Sequence, residues 1–336
     1  MTPTPKSRRT AVVTGMIALG ALLAAPAEAA TAQEVACTWQ AKTLPVPAGT
    51  VSASVDGTDG RGEFSGQVSD GSVSRIIRWK HGGFTLRDIP AGYERASVND
   101  QNRWGDIVGY AATPGSADYA SFVLSGSTYR FLPTLEGHRY PRASAINSRG
   151  DVVGVVAHLD PYYEVPVLWP AGGNPVAITN TQNLSNPVDI DDDGTVLFGD
   201  GSGGPYTWKD GVLTSYALPA GYDDSSPVAI SAGKVIASLS ADGRYTGDGF
   251  VWDGPRSPRR LERNTGVFAI NRSGVIGGQI DTQQIGPPAV WDATGQPTRL
   301  PLPDGASGGR VSVVGDDGRI GGTAGWSTPV AWRCAG

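Results

Sequence analysis

The chain is expected to fold as an all-β, seven-bladed β-propeller of four-stranded antiparallel blades. Three observations predict this. A short hydrophobic strand ending in Trp, or in a Leu standing in for it, returns at Trp39, Trp79, Leu124, Trp169, Trp208, Trp252, Trp291 and Trp332, spaced 39 to 45 residues apart. A tight hairpin built on Asn or Asp and Gly recurs in phase with it. Self-similarity at this period marks a propeller. Finally, 47 Gly and 25 Pro among 336 residues, with alternating Val, Ile and Thr, favour many short strands and turns over long helices.

The first residues read as an address. Lys6, Arg8 and Arg9 form a charged head, residues 11–25 are apolar, and Ala27-Glu28-Ala29 supplies small residues for a signal peptidase. The domain plan is therefore a signal peptide over 1–29, a short tail over 30–36 and a single propeller over 37–336. Ser7-Arg8-Arg9-Thr10 also permits a twin-arginine signal. An ordinary secretion signal is preferred because Ala11 sits where a bulkier apolar residue is usual. The apolar run is too short to span a bilayer comfortably, so the mature chain is expected to lack a membrane span and to be secreted and extracellular.

The hairpin is clearest in AINSRGDVVG (145–154) and AINRSGVIGG (269–278), with looser versions at 54–66, 97–109, 189–199, 229–238 and 313–322. Asn or Asp opens the turn by bonding its own backbone. Gly150, Gly194, Gly274 and Gly318 take the positive φ that precedes the next strand. The Trp strand follows as IIRW, SFVL, PVLW, PYTW, GFVW, PAVW or PVAW. A fourth strand closes the blade, as in FTLRDIP (84–90), LTSYALP (213–219) and TRLPLP (298–303). The seven in-phase anchors are read as inter-blade packing residues, each Trp burying on the order of 200 Å².

Seven hairpins and seven fourth strands accompany eight Trp strands, and TLPVP (43–47) is a fourth strand with no blade before it. The economical solution is that the N-terminal strand completes the last blade, which removes an exposed sheet edge. The only two cysteines, Cys37 and Cys334, lie at that seam. They are expected to form a disulfide, as an even pair does in an oxidising compartment. A link closing nearly 300 residues stabilises by roughly 5 kcal/mol in the chain-entropy picture.

The AIN-x-x-G-x-VVG hairpin, the F-V-W or V-L-W strand and the closing L-P strand resemble the HAF-repeat family of extracellular bacterial proteins. The arrangement is also similar to kelch repeats, with a Gly pair on the second strand and an aromatic on the third. The likeness covers roughly residues 37–334. The His of the family's His-Ala-Phe triplet is missing: the matching stretches read Ala120-Ser121-Phe122 and Asp248-Gly249-Phe250. The resemblance implies a secreted propeller of unassigned activity.

Charge narrows the partners. Removing Lys6, Arg8, Arg9 and Glu28 with the leader leaves 24 Lys plus Arg against 31 Asp plus Glu, so the formal net charge moves from −5 to −7. Such a surface repels phosphate backbones and anionic lipid, which argues against nucleic acid as a partner. A carbohydrate or an extracellular protein remains, with the chain expected to act as a monomer.

Candidates for chemistry are few. DIDDDGTVLFGD (189–200) places Asp189, Asp191, Asp193, Gly194 and Asp200 in the pattern of a calcium loop. The same segment aligns residue for residue with the AINSRGDVVG hairpin, so a turn carrying extra surface acids and a calcium site both stay open. No other cofactor is expected. His81, His138 and His158 fall in loops of different blades, and no G-x-S-x-G elbow occurs. No catalytic residue is assigned.

The loops between second and third strands, and those between blades, open on one face, and they hold the aromatics. The ligand-binding candidates there are Tyr140, Tyr162, Tyr163, Tyr222, Tyr245 and Trp326, with Asp160 and Asp248 as hydrogen-bond partners. Tyr93, Tyr119 and His138 lie in the same loops. The opposite face carries one large aromatic, Trp104. Flat rings flanked by carboxylates and Arg suit sugar or peptide recognition; packing of blade ends is the alternative reading of the same rings. The leading expectation is a secreted, non-catalytic recognition module for a carbohydrate or a protein. A propeller-type polysaccharide hydrolase or lyase and a structural envelope scaffold are the alternatives.

Overall fold

The computed structural model describes residues 37–335, except 114, 116–118, 183, 185, 200–202 and 282–284, and omits the side chains of 245 and 246. The expected signal peptide and tail lie outside the described residues. Seven four-stranded antiparallel sheets follow one another along the chain, and no helix occurs among the described residues. Blades 1 to 6 span residues 52–86, 95–131, 139–177, 187–215, 224–260 and 264–299. Blade 7 takes three strands from 309–335, and Thr38–Thr43 supplies its fourth, outermost strand. The N-terminal strand thus closes the ring, as the strand count requires.

Trp39 does not occupy the position of the other Trp residues. It sits on the closing strand itself, opposite Cys334, whereas Trp332 stands on the third strand opposite Ala41. The closing strand therefore runs over Thr38–Thr43 rather than 43–47. The correction has a simple cause: Cys37 and Cys334 are bonded with Cα atoms 5.4 Å apart, so pairing begins directly after the cysteine.

Apolar side chains gather in seven clusters, one for each contact between neighbouring blades. Trp79, Trp169, Trp252, Trp291 and Trp332 are fully buried in them. Trp208 is half-buried, because blade 4 has the short strands Val196–Phe198 and Tyr206–Lys209 and covers less of it. Burial of rings this large supplies the main adhesion between blades.

Each indole also makes a directed bond. The Nε1–H groups of Trp79, Trp169, Trp208, Trp252, Trp291 and Trp332 donate to the carbonyls of Pro45, Pro133, Thr179, Ala217, Glu262 and Pro301, at 2.6 to 2.9 Å. Every acceptor directly follows a buried residue that comes immediately after the preceding blade's fourth strand: Leu44, Leu132, Ile178, Tyr216, Leu261 or Leu300. The indole thus satisfies a carbonyl at the point where the chain crosses to the next blade.

The glycine of the recurrent V-G segment has a steric reason. Each innermost strand carries a β-bulge, and in five blades this glycine lies opposite it, with Phe198 and Ala237 there in blades 4 and 5. A Cβ at Gly154 would stand 2.0 Å from the carbonyl oxygen of Arg142, and one at Gly322 would stand 2.1 Å from that of Arg310. Only glycine tolerates that approach.

Candidate functional site

The seven innermost strands surround an axial cavity of about 320 Å³. Residues left unpaired by the seven bulges ring its wall: Asp56, Asn99, Ser144, Val188, Val228, Phe268 and Ser312. A bulge places an extra residue on one strand, so its side chain escapes the sheet's alternation and can point at the axis.

Asp56, Asp100 and Asp189 bring three carboxyls to this cavity. Enclosure pushes Asp100 up to about 7, helped by the neighbouring charge of Asp189. Enclosure likewise pushes Asp189 up to about 6, against the lowering effect of its backbone hydrogen bonds. Asp56 also rises to about 6 through burial, against the hydroxyl bond from Ser54. Asp100 and Asp189 each accept an N–H from the next blade, from Ile146 at 2.9 Å and Ile230 at 2.7 Å. Their first role is therefore to tie blade 2 to blade 3 and blade 4 to blade 5.

The hairpin residues at the cavity mouth repeat this stitching. Asn102 Nδ2 donates to the carbonyl of Asn147, Asn147 Nδ2 to that of Asp191, and Asn271 Nδ2 to that of Gly315. Asp191 continues the series by accepting the N–H groups of Ala232 and Gly233. Blade 5 has a two-residue turn, and the Arg272 guanidinium of blade 6 reaches past it to Asp192 of blade 4 at 2.7 Å.

The calcium pattern meets this geometry unfavourably. Asp189 points into the channel, Asp191 is held by blade 5, and Asp193 faces outward to the Lys209 ammonium and the Thr195 N–H. The strand Val196–Phe198 carries the chain away from the turn, and Asp200 lies outside the described residues. Among the described residues, no group of three or more His, Cys, Asp and Glu is arranged to hold a metal ion.

On the opposite face the aromatic candidates form separate groups. Blade 3 extends on the eight-residue strands Val152–Leu159 and Tyr162–Trp169. At its tip Tyr163 stacks on His158 with centroids 4.8 Å apart, and His138 packs edge-on against both. The Nδ1 atoms of His138 and His158 lie 2.8 and 3.0 Å from the carbonyls of Glu136 and Pro161. Tyr162 is 66% exposed, and its hydroxyl donates to Glu164, which also pairs with Arg142. Tyr140 packs against Tyr119 at 5.7 Å. The Tyr119 hydroxyl is raised, first by burial and then by the charges around it, with Arg142 opposing. Asp160 is exposed in the turn between the two blade 3 strands.

Tyr222 and Asp248 form a second group on blade 5. The Tyr222 hydroxyl donates to Asp248 at 2.8 Å, and Arg260 engages the other carboxylate oxygen. Tyr245 lies on the same blade opposite Ser240, and its side chain is not described. Trp326 stands alone on blade 7, 82% exposed. The structure therefore gathers Tyr162 with Glu164 and Arg142 beside the Tyr119–Tyr140 pair, and Tyr163 with His138 and His158 on the other face of the strand; among the described residues no ring contact joins either group to Tyr222 or Trp326.

Sequence reasoning passed over Asp56 and Asp100. A usable signal for Asp100 existed: aligned on the hairpin, the column two places before the turn-opening residue reads Gly57, Asp100, Ala145, Asp189, Ala229, Ala269 and Val313. Two acids in an otherwise small or apolar column mark side chains that meet the next blade at the cavity wall.

No family model and no curated protein matches the chain. Similar solved structures include an oligogalacturonate lyase in complex with manganese, with a TM-score of 0.63 at 13% identity, covering 90% of this chain and 94% of that one. A streptogramin B lyase structure matches with a TM-score of 0.54 at 13% identity, over 88% and 98% of the two chains. YCF48 from Cyanidioschyzon merolae matches with 0.54 at 12%, over 87% and 98%. At such identities the likeness shows the propeller fold alone.

Proposed function

We propose that this propeller is an exported, monomeric, non-catalytic recognition module of the HAF-repeat type that binds carbohydrate at the tip of blade 3. The single observation that carries the reading is the pairing there of exposed rings with a hydrogen-bonding set. Tyr162 and Tyr163 are 66% and 46% exposed, and Glu164 and Arg142 sit beside the Tyr162 hydroxyl. A sugar ring stacks its C–H face on such a phenol while its hydroxyls bridge carboxylate and guanidinium. The seam disulfide fits export to an oxidising compartment.

A glycan array followed by calorimetry tests this. Tyr162→Ala and Tyr163→Ala should each weaken binding at least tenfold, while Asp248→Asn should leave it unchanged. If no glycan binds, or if both Tyr variants bind as the parent does, the reading is wrong. The lyase or hydrolase alternative draws on Asp100, whose carboxyl titrates near neutrality inside the axial cavity. Polysaccharide turnover abolished by Asp100→Asn would replace the first reading with this one.

A further inference from the structure

The hairpin face, opposite the aromatic tip of blade 3, carries two cations that its other charges do not balance. Trp104 lies on the first hairpin of blade 2 and is 62% exposed. Its Nε1–H donates 2.6 Å to the carbonyl of Ser148 on the next blade, and its backbone N–H bonds Asn102. The indole is thereby fixed across two hairpins. The guanidinium carbons of Arg61, from blade 1, and Arg103 stand 4.9 and 5.1 Å from its ring centroid.

Four other cations on this face have acidic partners. Arg149 pairs with Asp151, Arg272 with Asp192, Arg319 with Asp317, and Lys209 with Asp193. Arg61 and Arg103 form no ion pair among the described residues. The acids nearest to them in the hairpins are already engaged. Asp59 accepts the N–H groups of Arg61 and Glu63, Glu63 holds Arg78, and Asp106 faces Asn102. Asp192, whose carboxyl Arg103 helps to lower, is bonded to Ser148 and Arg272. Two like charges share one ring with no carboxylate of their own.

We infer that Arg61, Trp104 and Arg103 form an anion clamp for a carboxylate-bearing saccharide. A guanidinium stacked on an aromatic ring keeps its N–H fork free, and that fork matches a carboxylate in bidentate fashion. Two forks held by one indole are organised before the ligand arrives. Arg103 also lines the mouth of the axial cavity with the hairpin residues Asn102, Asn147 and Ser148, whereas the carboxyls of Asp56, Asp100 and Asp189 stand on the strands below. Amide and hydroxyl groups beside an anion site suit a hydroxylated ring better than an apolar one. A cavity of about 320 Å³ is at the small end of ligand sites, so it accepts a sugar residue rather than a large ligand. The acidic net charge of the chain repels long uniform polyanions, which disfavours a phosphate backbone. This site is independent of the carbohydrate reading above, which concerns the other face.

Calorimetry on the purified mature chain tests the clamp with three probes. They are a tetramer of galacturonic acid, its fully methyl-esterified form, and tetraglutamate. The ester keeps the ring hydroxyls without the charge, and the peptide keeps the charge without the sugar. The acidic sugar should bind saturably, and each control should bind at least tenfold more weakly. Arg61→Gln and Arg103→Gln should each weaken binding about tenfold, as loss of a charged hydrogen bond does, and added salt should weaken it further. Trp104→Ala should weaken it too, while Tyr162→Ala should not. Absence of saturable binding overturns the proposal, as does equal binding of the ester or of tetraglutamate. Parent-like binding by both Arg variants, with unchanged thermal midpoints, also overturns it.

Discussion

Tyr129 donates its hydroxyl to the carbonyl of Asp88 at 2.9 Å, making from blade 2 to blade 1 the bond that six other blades make with an indole. Tyr129 is the cross-strand partner of Leu124, the residue that stands where those blades have Trp. Its ring meets Phe122 edge-on at 4.8 Å, and burial pushes its hydroxyl up to about 12. The missing indole is thus replaced from the neighbouring strand, not omitted.

Tyr129→Phe should therefore cost about 1 kcal/mol, the net worth of one such bond, with little change in packing. Urea unfolding at neutral pH checks this. A variant as stable as the parent would show that the bond is incidental.

Trp291 is fully buried between blades 5 and 6, and its N–H reaches Glu262. Trp291→Ala removes both ring and bond, so the expected loss is about 3–5 kcal/mol. Trp326→Ala removes a ring that is 82% exposed and should change stability by less than about 0.5 kcal/mol. Paired thermal melts compare the two.

The Cys37–Cys334 bond closes a span of 297 residues at the seam of blade 7. Cys37→Ser with Cys334→Ser should lower stability by roughly 2–5 kcal/mol. The closing strand should then exchange its amide protons earlier than the strands of blade 3. Hydrogen exchange on Thr38–Thr43 reads this directly.

Asp56, Asp100 and Asp189 carry carboxyls raised to about 6 or 7 in the folded chain. The folded state holds these protons after the unfolded chain has released them near pH 4, so their contribution to stability falls as pH climbs from about 4 to 7. Asp193, lowered to about 2, acts in a separate window: the stability it gives is present above pH 4 and lost below it. The chemical midpoint should thus be higher at pH 5 than at pH 7.5. Asp100→Asn should flatten that slope, and an unchanged slope would mean that the channel carboxyls are as well hydrated as free ones.

Much of the architecture was legible because each blade repeats one local solution. The hairpins around Asn147 and Asn271, the Trp strands and the ring closure all follow from turn chemistry and strand alternation, which depend on neighbours in sequence. Trp39 misled because composition alone cannot distinguish a third strand from a fourth; only the pairing of Trp39 with Cys334 does. The repeat phase already put Tyr162 and Trp326 on different blades, but the chain could not show that, among the described residues, no ring contact joins them. Asp248 read as an open hydrogen-bond partner, but Tyr222 and Arg260 already engage it.

The number of blades, the seam and the cysteine pair that seals it follow from order along the chain, since a repeat period and the placing of two cysteines beside the first and last repeats are read residue by residue. Which side chains meet across blades depends on the folded ring. Asp100 near the axis, Tyr129 against Asp88, and Arg61 with Arg103 over Trp104 come from residues some 40 positions apart. Their meeting depends on the angle between adjacent sheets, and that angle is set by the packing of seven interfaces at once.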